Sequence, residues 1–194
     1  MSVVLVLFSY LPGAIPFAYI AGRVFKGIDI RNFGDGNVGA ANAYREIGPA
    51  AGVAVLIADV SKGATAVMVA RDFASQLVVL LAGFAVVAGH NWPIYIGFRG
   101  GRGQTTTIGV LCALLPRAMF ILLAVCAVPF LVTRNTKIAG VILFAPLWFV
   151  ALLTGAAKVL AAYSVGLPCL VGLTHLLTTR HLPDDVKQKT NYMR

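Results

Sequence analysis

Seven apolar stretches follow one another along this chain of 194 residues, at roughly 2–22, 50–70, 75–91, 104–116, 117–133, 138–154 and 157–178. Crossing a bilayer takes about 20 apolar residues, and fewer where neighbouring helices shield the segment. The expected fold is therefore all-α, a polytopic integral membrane bundle of about seven transmembrane helices built as one domain over residues 1–194. Composition agrees, with 59% hydrophobic and 12% charged residues, against roughly a quarter charged in soluble domains. The division at Pro116-Arg117 between the fourth and fifth stretches is the weakest. Pro12 and Pro16 are expected to kink the first span, and Gly13 leaves room there for close packing. No basic region precedes the first apolar run, so it reads as a retained span and not as a cleaved signal peptide.

The formal net charge is +9. In a soluble protein this would suggest nucleic acid as a partner; in a membrane protein it reports the excess of Lys and Arg in cytoplasmic loops, so the lipid bilayer and not nucleic acid is the expected partner. Seven spans with the N-terminus outside and the C-terminus cytoplasmic place twelve Lys and Arg inside, from Arg23, Lys26, Arg31 and Arg45 to the tail. Only Arg71, Arg117 and Lys158 fall outside, and Lys62 lies within a span. A six-span arrangement would send the tail outside and lose this bias. The expected location is the cell membrane, multi-pass, with any site built from the charged loops on the cytoplasmic face.

Two of those loops are rich in glycine. The first reads Gly34-Asp35-Gly36-Asn37-Val38-Gly39-Ala40-Ala41-Asn42-Ala43-Tyr44-Arg45, and the second Phe98-Arg99-Gly100-Gly101-Arg102-Gly103-Gln104-Thr105. Glycine lets backbone N–H groups crowd around an anion, and arginine or a helix N-terminus completes the cradle. Gly34-x-Gly36-x-x-Gly39 also matches the dinucleotide-binding spacing, but that fingerprint has meaning only inside a βαβ unit, and no such alternation surrounds it. Both loops face the side where phosphorylated metabolites are found.

Asp59 and Lys62 lie three residues apart in the second span, on one helix face. An isolated charge there costs about 2.5–3.5 kcal/mol on insertion scales, so they are expected to pair, to meet a bound phosphate through Lys62, or both. Gly89-His90-Asn91-Trp92-Pro93 ends the third span at the interface, where Trp92 and Tyr95 fit an aromatic belt. His90 is either a structural histidine bonded to a carbonyl or part of a site with the basic loop that follows. His175 reads as a packing residue. Cys112, Cys126 and Cys169 have no metal-ligand or paired spacing and read as buried free thiols.

The chain resembles the bacterial acyl-phosphate:glycerol-3-phosphate acyltransferase family. The resemblance rests on Gly13-Ala14-Ile15-Pro16-Phe17-Ala18-Tyr19, on Asp29-Ile30-Arg31-Asn32-Phe33 running into the first glycine loop as far as Arg45 and Gly48, and on Asp59-x-x-Lys62-Gly63. It continues through Gly89-His90 with Pro93, Phe98-Arg99-Gly100-Gly101-Arg102-Gly103, and Arg180-His181. It implies transfer of an acyl group from acyl phosphate to the 1-hydroxyl of glycerol 3-phosphate, giving lysophosphatidate and inorganic phosphate. It further implies His90, Arg45, Arg102 and His181 as catalytic residues. Gly34, Asp35, Gly36, Asn37, Gly39, Asn42, Lys62, Gly100, Gly101 and Gly103 would hold the substrates and their phosphates. No metal and no cofactor is expected. An acyl phosphate is already activated, and its phosphate, with a second pKa near 6, can take the hydroxyl proton; the protein then positions substrates and stabilises charge.

Four positions depart from the family pattern, which has serine at Asp35, threonine at Ala41, lysine at Arg102 and asparagine at Asp184. Arg102 keeps the charge and can bind phosphate bidentately. A carboxylate about 4 Å from a phosphate charge costs roughly 4 kcal/mol at an effective dielectric near 20, so Asp35 is expected to be paired with Arg45 or Arg102, or protonated. The competing readings are acyl transfer to an uncharged or amine-bearing acceptor, and a non-catalytic lipid-binding or transport protein on the same bundle.

Overall fold

The computed structural model describes residues 2–180, and every regular element among them is helical. In chain order these are α1 (Ser2–Gly13), α2 (Phe17–Lys26), α3 (Ala40–Glu46), α4 (Pro49–Phe73), α5 (Gln76–Asn91), α6 (Gln104–Leu114), α7 (Pro116–Thr133), α8 (Thr136–Phe144), α9 (Leu147–Leu153) and α10 (Lys158–Arg180). Short 3₁₀ turns at Ile30–Asn32 and Ile94–Ile96 punctuate the two glycine-rich loops. Six segments are long and apolar enough to cross a membrane: Ser2–Lys26, Pro49–Phe73, Gln76–Ile96, Pro116–Thr133, Thr136–Leu153 and Lys158–Thr178. The fourth apolar stretch is shorter than expected. It ends as the 11-residue α6, about 16 Å long at 1.5 Å per residue, because Leu115 leaves helical geometry ahead of Pro116.

Proline also divides two spans. The first breaks between α1 and α2, where Ile15 precedes Pro16 and is pushed out of the helical region. α2 then runs on to Lys26 and stops at Gly27, whose φ of +64° places it left-handed, with Ile28 N–H closing back on Gly22 O at 3.1 Å. Pro146 marks the second break, between α8 and α9.

Small residues set the helix packing. A Cβ on Gly63 of α4 would collide with Thr106 O of α6, and one on Gly109 of α6 with Val60 O of α4. α1 and α5 touch in the same manner through Gly13 and Gly89. Such close approach is how helices associate where lipid removes the hydrophobic drive between them. The core runs through Val67, Ala82, Val86, Val110, Leu111, Met119 and Leu147, all buried. Large apolar side chains such as Phe8, Phe120, Leu131 and Leu153 point outward, as they do on a bundle whose solvent is lipid. Of the three cysteines only Cys126 is buried; Cys169 is exposed and Cys112 half-buried, a correction to the reading of all three as buried thiols.

One end of the bundle gathers the polar segments. Gln104, at the start of α6, donates to Thr136 O at the start of α8, so the α5–α6 loop and the α7–α8 turn lie together. Asn91 at the end of α5 donates to Thr174 of α10 at 3.0 Å. The first glycine loop joins them through Arg31, whose Nη1 donates to Ile96 O at 3.0 Å.

Candidate functional site

The first glycine loop is organised by Asn42, which is fully buried. Its Nδ2 reaches the carbonyls of Phe33 at 3.0 Å and Asn37 at 3.1 Å, with Ile30 O at 3.4 Å. Its Oδ1 accepts from Asp35 N–H and from Arg45 Nη2, each at 3.4 Å. Expected from the resemblance to touch substrate, Asn42 thus gives both ends of its amide to the loop itself. Gly34 and Gly36 flank Asp35 with φ of +58° and +66°, left-handed values that glycine adopts without strain. Asp35 is thereby presented on a tight turn.

Arg45, in the last turn of α3, and Arg102, in the second loop, converge on Asp35. Arg45 Nη2 lies 3.2 Å from Asp35 Oδ1, and Arg102 Nη1 donates to Asp35 Oδ2 at 3.0 Å. The expected neutralisation of Asp35 is met by both arginines at once. Arg102 is the more enclosed, and its buried Nε makes no hydrogen bond among the described residues. A donor left unmatched in this way is expensive and marks a place where an anion would be welcome. Asp35 and Gly36 line a cavity of about 280 Å³ whose wall also takes in Arg31, Arg99, Gly100 and Thr174.

The second loop folds back on the end of α5, with Gly100 N–H on Asn91 O at 3.2 Å and Gly101 N–H on His90 O at 3.0 Å. Gly101 has no room for a side chain, since a Cβ would strike the His90 ring and sit 2.7 Å from Val38 O. Gly103, at φ +80°, begins α6, and Gly39 stands at the start of α3.

Lys62 and His90 belong to a second cluster, inside the bundle. Lys62 Nζ is 2.8 Å from Asp59 Oδ1 and 2.8 Å from His90 Nδ1, and it donates to Ile15 O at 3.2 Å. That carbonyl, which also accepts from Phe17 N–H at 3.2 Å, lies in the break that Pro16 makes in the helix. Asp59 Oδ1 is 3.4 Å from His90 Nδ1, and Thr105 Oγ1 donates to Asp59 Oδ2 at 3.4 Å. With Lys62 donating as an ammonium, His90 Nδ1 is the acceptor and the ring proton sits on Nε2. All three side chains are at least 95% enclosed. The expected Asp59–Lys62 pair forms, and His90, expected at the interface beside the basic loop, joins it while its ring rests against Gly101 of that loop.

Several residues at this end were not among the expected site residues. Asp29 caps the 3₁₀ turn by accepting from Arg31 N–H, and Arg31 closes on its carboxylate at 2.7 Å. Arg31's side-chain hydrogen bonds hold the Asp29 carboxyl below its ordinary value, against an opposing effect of burial. The signal was legible as an Asp-x-Arg step at the head of the first loop. Thr174 carried no such signal, for only the docking of α10 against Asn91 brings it to the cavity. His181 and Asp184 lie outside the described residues. No group of three or more metal-ligating side chains occurs among the described residues.

Residues 3–186 match the family described as Glycerol-3-phosphate acyltransferase. The chain is 42% identical over 181 residues to "Glycerol-3-phosphate acyltransferase 4" of Dehalococcoides mccartyi, covering 93% of this chain and 98% of that relative. It is 43% identical over 146 residues to "Glycerol-3-phosphate acyltransferase" of Halalkalibacterium halodurans, covering 74% and 70% of the two chains. Its fold matches the crystal structure of the glycerol 3-phosphate form of PlsY (YgiH), an integral membrane glycerol 3-phosphate acyltransferase, with a TM-score of 0.83 at 31% identity, over 92% of this chain and 90% of that one. The lysophosphatidic acid form of the same protein matches with a TM-score of 0.80 at 30% identity, over 90% and 87% of the two chains.

Proposed function

Because the chain belongs to the glycerol-3-phosphate acyltransferase family, we propose that it acylates glycerol 3-phosphate in the membrane, with an acyl phosphate as donor. The carrying observation is the meeting of Arg45 from α3 and Arg102 from the second loop on one anionic group at the wall of a cavity. Charge-assisted contacts from two guanidiniums suit a phosphate. The acceptor's 1-hydroxyl oxygen bonds to the donor's carbonyl carbon while the bond from that carbon to the phosphate oxygen breaks. The departing phosphate carries off the hydroxyl proton, so the products are lysophosphatidate and inorganic phosphate. The protein's part is to hold both phosphates and align hydroxyl with carbonyl. Arg45 and Arg102 bind, the glycine loops bring them together, and the buried Lys62 and His90 hold the second loop in place.

Acyl transfer to an amine-bearing acceptor loses its motive, because an Asp35 carboxylate already engaged by two arginines is not left to recognise an amine. The orientation supported best has seven crossings, with α6 as a short one. The glycine loops, the α7–α8 turn and the end of α10 share one end of the bundle, and the Lys and Arg bias assigns that end to the cytoplasm. The cell membrane is the site proposed. In a variant without native cysteines, cysteine at Asn32 or Gln188 is expected to label from the cytoplasmic side and cysteine at Ser75 from outside. Labelling of Gln188 from outside would remove the seven-crossing topology.

The direct test supplies purified protein with acyl phosphate and glycerol 3-phosphate and follows both products. One phosphate released per lysophosphatidate formed is the expected result. Phosphate release without an acylated acceptor, or acylation confined to acceptors lacking phosphate, would overturn the reading.

A further inference from the structure

Asp35 offers two oxygens to two guanidiniums, Oδ1 to Arg45 and Oδ2 to Arg102, which is how a phosphoryl group would engage the same pair. Its other ties are slack. Asn37 N–H reaches Oδ1 at 3.4 Å, and the backbone N–H of Asp35 reaches Asn42 at 3.4 Å. Left-handed glycines stand on both sides of it, and it lines the cavity. Asp29 in the same loop is different, for Arg31 grips it through Nε, Nη2 and its backbone N–H at once.

We propose that Asp35 is an internal counter-anion, a carboxylate that occupies the arginine pair when no substrate is bound and must yield at least one arginine to an incoming phosphoryl group. It thereby weakens phosphate binding and sets the substrate requirement of the site upward. The inference rests on the reading of the arginine pair as a phosphate site, whichever substrate carries the phosphate. While Asp35 stays, the three groups carry a net charge of +1; without its charge they carry +2. Arg102 Nε, buried and unmatched among the described residues, is a donor that the carboxylate leaves unused.

A carboxylate that only braced the two loops would show the opposite behaviour, since its loss would splay the arginines and weaken phosphate binding. The experiment measures equilibrium binding of inorganic phosphate to the full-length protein in lipid nanodiscs, for wild type, Asp35→Asn, Asp35→Ser and Asp35→Glu. Asn and Ser are expected to lower Kd by at least about fivefold, the effect of one unit charge ~4 Å away at the dielectric of water. Glu is expected to stay near wild type. Damage to the fold cannot tighten binding, so a gain in either neutral variant supports the proposal. An unchanged or weaker Kd in the folded neutral variants overturns it, whether or not the protein turns over. In steady-state assays, the KM that falls alongside Kd, for glycerol 3-phosphate or for acyl phosphate, names the substrate whose phosphate displaces Asp35. If Kd tightens but wild type never acylates glycerol 3-phosphate, the counter-anion stands and the proposed acceptor does not.

Discussion

Among the described residues, Asp59 and Asp35 each anchor a cluster of basic side chains, and the two clusters are built from opposite materials. Asp59 sits mid-helix among Lys62, His90 and Thr105, enclosed by α4, α5, α6 and the break between α1 and α2. Asp35 sits on a glycine turn between two arginines, beside a cavity. An ion pair sealed among spans has no water to fall back on, so its members must keep one another. A pair at a cavity wall can trade one anion for another. On the proposed reading the comparison separates charge that holds the fold from charge that meets substrate, although both look alike as lists of contacts.

The largest effect is expected from breaking the sealed cluster. Asp59→Ala strands the Lys62 ammonium and is expected to cost about 3–5 kcal/mol of stability, read as an earlier unfolding midpoint in detergent. Adding Lys62→Met removes the stranded charge and should recover much of the loss. A variant Asp59→Ala that unfolds like wild type but no longer turns over would dissolve the distinction, making the inner cluster part of the chemistry.

The outer cluster should answer in the other way. Arg102→Ala and Arg45→Ala each remove charge-assisted bonds contributing about 1.5–3 kcal/mol, so kcat/KM should fall by roughly ten- to a hundredfold with little change in unfolding. Arg102 should show the greater loss, being the more enclosed. Equal destabilisation by the outer arginines and by Asp59→Ala would show that both clusters are structural.

The comparison also marks what the sequence could and could not reveal. The pairing of Asp35 with arginine was legible because a carboxylate in a loop expected to bind phosphate is an electrostatic problem with few solutions. The Asp59–Lys62 pair was legible because helical spacing puts them on one face. His90 was placed correctly at the end of its span beside the basic loop, but its contact with Lys62 was not legible, since that distance depends on how α4 and α5 pack and no local pattern records it. Membrane-embedded titratable groups are expected to find one another, and that rule, applied across spans, was the signal available. Asn42 was expected to contact substrate, and its second use, bracing the loop through both ends of a buried amide, was not legible because a polar residue in a glycine loop can do either. The long spans were readable from hydropathy, whereas the halving of α8 and α9 turned on Pro146, which a window average passes over.

Gly101 is where the two clusters meet. Its absent side chain leaves the His90 ring against the second loop, with Val38 O on the other side. Gly101→Ala is expected to cost about 1–3 kcal/mol as overpacking and to lower kcat/KM by displacing Arg102. Loss of stability with unchanged kinetics would mean that Arg102 is positioned independently of His90.

The smallest effect concerns a third carboxylate, Asp29, whose partner Arg31 also lines the cavity. Arg31's hydrogen bonds hold the Asp29 carboxyl below its ordinary value, so the folded state favours the ionised form more than the unfolded chain does. A depressed folded value means that the stabilisation is complete above the unfolded aspartate value near 3.9 and is lost as pH falls through the folded value. The pair is partly exposed, which limits its contribution to about 1 kcal/mol or less. Asp29→Asn should therefore unfold slightly earlier than wild type at pH 7, and the gap should shrink as the pH is taken from 4 toward 2.5. A gap of constant size across that range would assign the difference to the cap geometry of the 3₁₀ turn and not to the charge. Asp29 would then be a loop brace like Asn42, leaving Asp35 as the carboxylate in this loop whose charge matters to what the site binds.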